Sequence, residues 1–176
     1  LGMCTAGITG SGVFTSEEIV TNDELVVALN AYAEKYNAEH AGAIAAGDVE
    51  AKATSSTEFI VSASGIEQRY VMNKSGVLDP DVMHPLLPAR RDDEPGIMAE
   101  MALDACHKAL EQAGRRAREI DLVICAASNH ERAYPAIAIE IQQLLGAGGF
   151  AFDMNVACSS ATFGIQTATD MIRSGS

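Results

Sequence analysis

The second half of the chain switches repeatedly between two hydrophobic periods, and this alternation limits the possible folds more than any other feature. Residues 95–114, "PGIMAEMALDACHKALEQAG", read as a helix with Pro95 near its start and Gly114 just past its end. Met98, Met101 or Ala102, Ala105 and Ala109 mark its expected apolar stripe. "IDLVICAAS", from residue 120, is a continuous apolar run that suits a buried strand. "YPAIAIEIQQLLG", from residue 134, reads as a helix with Pro135 in its first turn and Gly146 as its stop. "GFAFDMNVA" is strand-like again, and "SSATFGIQTATDMIRSG" is again helical. Helix, strand, helix, strand and helix with short connections predict a layered α/β domain with right-handed crossovers.

The first half is less regular. Residues 5–13, "TAGITGSGV", read as a strand ending in a glycine turn. "TNDELVVALNAYAEKY" predicts a helix capped by Thr21 or Asn22, with Leu25, Leu29 and Tyr32 or Ala33 on one face. Residues 38–57, rich in Ala, Gly, Ser and Thr, are expected to be mobile or partly helical. A turn at Ser64–Gly65 precedes a short strand at Gln68–Met72, and residues 73–96, with four of the five prolines, read as a long loop.

Charge and composition narrow the function classes. At 176 residues and 48 % hydrophobic content, the chain can bury a core. A net charge of −12 disfavours nonspecific nucleic-acid binding and docking on anionic lipid. The basic clusters, Arg90–Arg91 and Arg115–Arg116 with Arg118, read as a solvated loop and a helix end. No apolar run reaches 18 residues, so no membrane span is expected, and the N-terminus lacks the basic region of a signal peptide. The chain starts at Leu1 rather than Met, as after trimming.

The cysteines are Cys4, Cys106, Cys125 and Cys158, and the histidines are His40, His84, His107 and His130. With no CxxC pair and no ligand spacing among them, no metal site is expected. Scattered cysteines in apolar segments suit free thiols in a reducing cytoplasm. Cys106 and Cys125 read as small buried hydrophobes, and Cys4 carries no signal. Cys158 stands apart, between a strand and a helix and flanked by the small residues Ala157, Ser159, Ser160 and Ala161. Packing, redox chemistry and nucleophilic catalysis all remain open for it on these grounds. N–H groups at a helix start stabilise a thiolate and a developing oxyanion alike. A thiolate is also a natural acceptor of an acyl group from a thioester.

"DMNVACSSATFGIQTATDMIRSG" resembles the nucleophile segment of β-ketoacyl-acyl-carrier-protein synthase III enzymes, members of the thiolase superfamily. "ITGSGVFTSEEIVTNDEL" resembles the first strand and turn of that family, and "FIVSASGIEQRYV" resembles its W-I-x-x-R-T-G-I-x-x-R segment. "AYPAIAIEIQQLLG" resembles its F-P-x-x-A-x-x-I-Q-x-x-L-G helix, and the matches follow the family's order along nearly the whole chain. The resemblance implies a thiolase-like fold, with helices around a mixed, mainly parallel sheet, of which this chain is the first of two similar halves. It implies that Cys158 is the nucleophile, with its backbone N–H in the oxyanion hole. An acyl group would pass to Cys158 from acyl-coenzyme A or acyl-acyl carrier protein, and condensation with malonyl-acyl carrier protein would follow, as in fatty-acid synthesis. No bound cofactor is implied. Phe59 matches the tryptophan that stacks on the adenine of coenzyme A, and Arg69 matches the arginine after the G-I turn. Tyr134 matches a phenylalanine that closes the partner's acyl tunnel across a homodimer.

The sequence also departs from the family pattern. Ala63 stands where many members have an arginine that clamps coenzyme A, and residues 38–57 and 73–96 are longer than the corresponding segments. The catalytic His and Asn of the second half have no match among His40, His84, His107, His130, Asn129 or Asn155. The chain is therefore expected to need a C-terminal half or a second chain. An acidic carrier protein would seek a basic patch such as Arg115–Arg118. Another thiolase-superfamily acyltransferase or synthase and a noncatalytic scaffold subunit are the competing readings.

Overall fold

The computed structural model describes residues 5–91 and 93–176, so Cys4 lies outside the described residues. The chain divides into two compact units, Thr15–Ala89 and the remainder, Leu1–Phe14 with Arg90–Ser176.

In the smaller unit, β1 (Glu18–Thr21) pairs antiparallel with β2 (Gln68–Val71), with Glu18 opposite Val71 and Thr21 opposite Gln68. Thr21 ends β1 and caps α1 (Asn22–Glu39). Its hydroxyl accepts from the Glu24 N–H at 3.3 Å, and Glu24 returns the bond to the Thr21 N–H at 3.0 Å. This reciprocal cap satisfies two N–H groups that the helix leaves unpaired. The Lys74 ammonium beside Glu24, with the Thr21 N–H, holds that carboxyl down to about 2. Ala28 and Ala33 are buried on α1, whereas the predicted stripe residues Leu25, Leu29 and Tyr32 are only half-buried.

Residues 38–57 hold the short helix α2 (Ala41–Ala46), and the loop beyond it is pinned to α1. Asn30 exchanges two hydrogen bonds with the Ser55 backbone, at 2.8 and 3.0 Å. Asn37 does the same with Lys52, at 2.8 and 2.9 Å, and the Lys52 ammonium lies 4.5 Å from the centre of the Tyr36 ring. Side-chain amides here stand in for a strand partner. The helix α3 (Thr57–Ser64) is capped by Ser56 and stopped by Gly65 at φ +70°. Residues 73–96 are not loop throughout, because Asn73 caps a further helix, α4 (Lys74–Leu78).

The larger unit follows the predicted alternation. It contains α5 (Ile97–Ala113), β3 (Leu122–Ala126), α6 (Ile137–Leu145), β4 (Phe150–Met154) and α7 (Ser160–Ser174). β3 and β4 are parallel, with Leu122 opposite Phe150 and Ala126 opposite Met154. Gly114 and Gly146 end α5 and α6 in the left-handed region, at φ +61° and +72°. At Gly149, a side-chain carbon would fall 1.7 Å from the Asp121 carbonyl oxygen, so only glycine lets β4 begin there.

The core of this unit centres on Ala99 of α5 and on Ile137 and Ile141 of α6, with Met98, Ala102, Cys106, Val123 and Cys125 packed against them. The α5 stripe therefore runs through Met98, Ala99, Ala102 and Cys106, and of the expected residues it holds Met98 and Ala102. The opposite side of β3 meets α7, where Gly164 comes so close that a side-chain carbon on it would lie 3.2 Å from the Ala126 methyl.

Two expectations are corrected. Residues 5–13 form no strand; residues 5–14 lie instead along α5. Side-chain carbons at Gly10 and Gly12 would fall 2.2 and 2.0 Å from the Ala109 and Ala105 carbonyl oxygens, so the glycines serve this close approach. Lys108 donates to the Val13 carbonyl at 3.0 Å, and Gln112 accepts from the Ser11 N–H at 2.6 Å. β3 is half-buried rather than buried, because among the described residues its sheet has two strands. Among the described residues no helix is long and apolar enough to cross a membrane.

Candidate active site

β4 ends at Met154 and α7 begins at Ser160, leaving five residues, Asn155 to Ser159, to make the turn that holds Cys158. The Asn155 carboxamide oxygen accepts from the Ala157 N–H at 3.0 Å, and its NH2 donates to the Ser128 carbonyl at 3.1 Å. Ala157 takes φ +49°, a left-handed conformation that its Cβ disfavours. The Ser159 and Ser160 N–H groups turn back to the Val156 and Ala157 carbonyls, at 3.1 and 3.2 Å. The Cys158 N–H is in neither of these bonds. Cys158 is exposed and sits directly before Ser159, the residue at the N-cap position of α7.

The other two described cysteines have a different environment. Cys106 is half-buried, and burial pushes its thiol upward. Cys125 is pushed up to about 11, by burial first, then by the Asp153 carboxylate and Cys106. Both therefore stay protonated near neutrality.

Asp153 faces Cys125 across the β3–β4 ladder and holds the start of α6. That helix follows Ala136, which has no capping side chain. The two Asp153 carboxylate oxygens accept from the Ile137 and Ala138 N–H groups, at 2.8 and 2.7 Å. Cys125, His130 and Asp153 bring donor atoms within 4.8 Å of one another, a convergence that their sequence spacing did not reveal. Each carboxylate oxygen already receives a helix N–H, and His130 Nε2 lies 3.1 Å from the Cys125 carbonyl oxygen. Next to them is a polar cavity of about 350 Å³, with Ser128, Asn129, Arg132 and Asn155 in its wall. An apolar cavity of about 570 Å³ lies on the other side of β3, lined by Leu122, Ile124, Ala126, Gly164, Ala168 and Met171.

The remaining predicted residues fall as follows. Tyr134 is 89 % exposed in the loop before α6. In the smaller unit, Phe59 is exposed on α3, while Arg69 on β2 donates to the side chain of the buried Asn22 at 2.8 Å. Asn22 in turn donates to the Ile66 carbonyl at 2.7 Å, so Arg69 joins a network that ties β2 to α1. Four of the five clustered arginines are paired. Arg115 and Arg116 pair with Glu119 at 3.7 and 3.0 Å, Arg91 pairs with Asp93 at 3.0 Å, and Arg90 pairs with Glu100. Sequence reasoning missed Asn155, Ser160 and Asp153; the Asn two residues before Ala157 was the available sign of a side-chain-closed turn.

The architecture, with parallel β3 and β4 layered between helices, is a partial thiolase-like fold. A 3-oxoacyl-[acyl-carrier-protein] synthase III structure from Aquifex aeolicus aligns with 96 % of the chain and 40 % of its own, at a TM-score of 0.65 and 24 % identity. OleA from Xanthomonas campestris aligns with 98 % of the chain and 42 % of its own, at a TM-score of 0.68 and 18 % identity. No family model matches the chain. In sequence the chain is similar to β-ketoacyl-[acyl-carrier-protein] synthase III enzymes. It is 58 % identical, over 146 residues, to the β-ketodecanoyl-[acyl-carrier-protein] synthase of Pseudomonas aeruginosa, covering 83 % of this chain and 42 % of that protein. It is 31 % identical, over 175 residues, to a synthase III of Bordetella petrii, covering 98 % of this chain and 41 % of that protein. The chain thus spans about two fifths of the length of these relatives.

Proposed function

We propose that this chain supplies the acyl-accepting part of a fatty-acid condensing enzyme, with Cys158 as the nucleophile. The observation that carries this reading is the exposure of Cys158 at the turn into α7, set against the half-buried thiols of Cys106 and Cys125, whose thiolates burial disfavours. In the first step Cys158 sulfur attacks the carbonyl carbon of an acyl thioester. The Cys158 N–H stabilises the oxyanion. The carbon–sulfur bond of the donor then breaks, and the departing thiolate takes up the proton that Cys158 gave up. In the second step malonyl-acyl carrier protein loses CO2, its carbanion attacks the acyl carbonyl, and Cys158 leaves as thiolate. The product is a β-ketoacyl thioester two carbons longer.

The second step needs the His and Asn that the family resemblance places in a second half. The chain accordingly acts as the first of two thiolase-like halves, with residues 38–57 and 73–96 as insertions, in a cytoplasmic homodimer. Acyl carrier protein delivers the malonyl group. The exposure of Tyr134 fits a residue that reaches a partner subunit. Phe59 and Arg69 remain proposed contacts for the acyl donor.

The Pseudomonas relative is named for a β-ketodecanoyl product, whose ten carbons correspond to an eight-carbon acyl group extended by two. An octanoyl thioester is therefore the proposed donor. Intact-mass measurement of the protein containing this chain, over a series from acetyl to dodecanoyl thioesters, tests this. Octanoyl should load Cys158 fastest. Clear preference for acetyl contradicts the chain length, and no loading with any donor contradicts the nucleophile.

A further inference from the structure

Ser160 is the first residue of α7, a position where serine is normally exposed, yet it is only 3 % exposed. It does not cap its own helix. Its hydroxyl points back across the turn, accepting from the Val156 N–H at 2.8 Å. Its single proton has two carbonyl acceptors in reach, Ala157 at 2.8 Å and Ala127 at 3.2 Å. One buried hydroxyl thus joins the loop just beyond β3, the turn and the start of α7.

Asn155 is the other side chain that ties this turn down. Ser159 makes no side-chain capping bond, and Cys158 is exposed. Ala157 holds φ +49°, which persists only where the surroundings enforce it. Two side chains help enforce it, Asn155 on the Ala157 N–H and Ser160 on the Ala157 carbonyl, which the Ser160 N–H also meets at 3.2 Å. The direction of the Cys158 N–H and Sγ follows from that peptide.

We infer that Ser160 is a positioning residue, whose buried hydroxyl fixes the Val156–Ala157 backbone so that the Cys158 sulfur and N–H meet an acyl carbonyl together. This rests on the reading of Cys158 as nucleophile. Displacement of a reacting group by about 1 Å costs on the order of 10²-fold in rate.

The test compares Ser160→Ala and Ser160→Thr in the protein containing this chain. Two rates are read at Cys158, acylation by octanoyl thioester and alkylation by iodoacetamide, which needs no oxyanion contact. Ser160→Ala should slow saturated acylation by about 10- to 100-fold and leave alkylation of Cys158 within about threefold of the unmutated protein. Ser160→Thr, which keeps the hydroxyl, should recover most of the acylation rate. Unchanged acylation in Ser160→Ala overturns the inference. So does a loss of acylation accompanied by new alkylation of Cys106 and Cys125, since that pattern reports a loosened fold. If the unmutated protein alkylates at Cys158 but never acylates there, the nucleophile reading fails, and the inference with it.

Discussion

Cys125 is the second-last residue of β3 and Cys158 lies in the turn after its parallel neighbour β4, and the two differ in burial and surroundings. Cys125 lies within β3, packed against Ile137 and Ile141 and facing the Asp153 carboxylate. Cys158 lies beyond the end of β4, on a turn whose neighbouring residues are small and exposed. The first environment penalises the thiolate twice, by burial and by a like charge. The second exposes the sulfur next to the start of a helix. What separates them is placement in the fold. Within a strand, a cysteine serves as a small hydrophobe, whereas at a strand-to-helix turn it becomes available for chemistry.

The strongest way to break this comparison is substitution. Cys158→Ala should lower acyl transfer by at least ~10³-fold, as loss of a covalent nucleophile does. Cys106→Ala should leave the rate within about threefold, because its thiol is a packing group. Loss of transfer in both variants, measured with octanoyl thioester, contradicts the assignment.

The next effect sharpens the buried side. Ile137 is fully buried beside Cys125, so Ile137→Ala should cost about 2–4 kcal/mol in chemical denaturation. The same variant should raise alkylation of Cys125, because the cavity admits water and reagent. A smaller loss is expected from Asp153→Ala, about 1–2 kcal/mol, since it removes the only side-chain cap found at the start of α6 among the described residues. It should also let Cys125 titrate at lower pH, by removing the facing charge.

The smallest effect is a pH dependence. Cys125 rises from 9.0 to about 11 on folding, so the folded state favours the neutral thiol. Its contribution is fully present below pH 9 and is lost as pH rises from 9 through about 11. Denaturation midpoints of the unmutated protein should fall over that window more steeply than those of Cys125→Ala. Parallel curves contradict the buried-thiol description.

The sequence was most informative where the deciding interactions are local. Gly114 and Gly146 stop their helices through their own backbone freedom, and the Thr21–Glu24 cap spans one turn. The five elements from α5 to α7 were legible for that reason. Residues 5–13 were not, because alternation cannot say whether an extended segment will find a strand or the flank of a helix. Gly10 and Gly12 read as a turn, but their role is to let the backbone approach α5. In the site, the place of Cys158 between a strand and a helix was legible from the switch between two periods. Ala157 gave no sign of its positive φ, and the cap that Asp153 provides comes from another element. The Asp153 cap is a tertiary contact, which no local pattern encodes, whereas Ala157 is held by residues two and three positions away.

Competitive alkylation with peptide mapping tests the central claim most directly. The protein containing this chain is treated with limiting iodoacetamide near neutral pH, with and without prior incubation with octanoyl thioester. Cys158 should be alkylated well ahead of Cys106 and Cys125, and the thioester should block it while adding one octanoyl group to the peptide that contains it. Equal alkylation of the three thiols, or preferential alkylation of Cys158 that the thioester does not prevent, would contradict its role as the acyl acceptor.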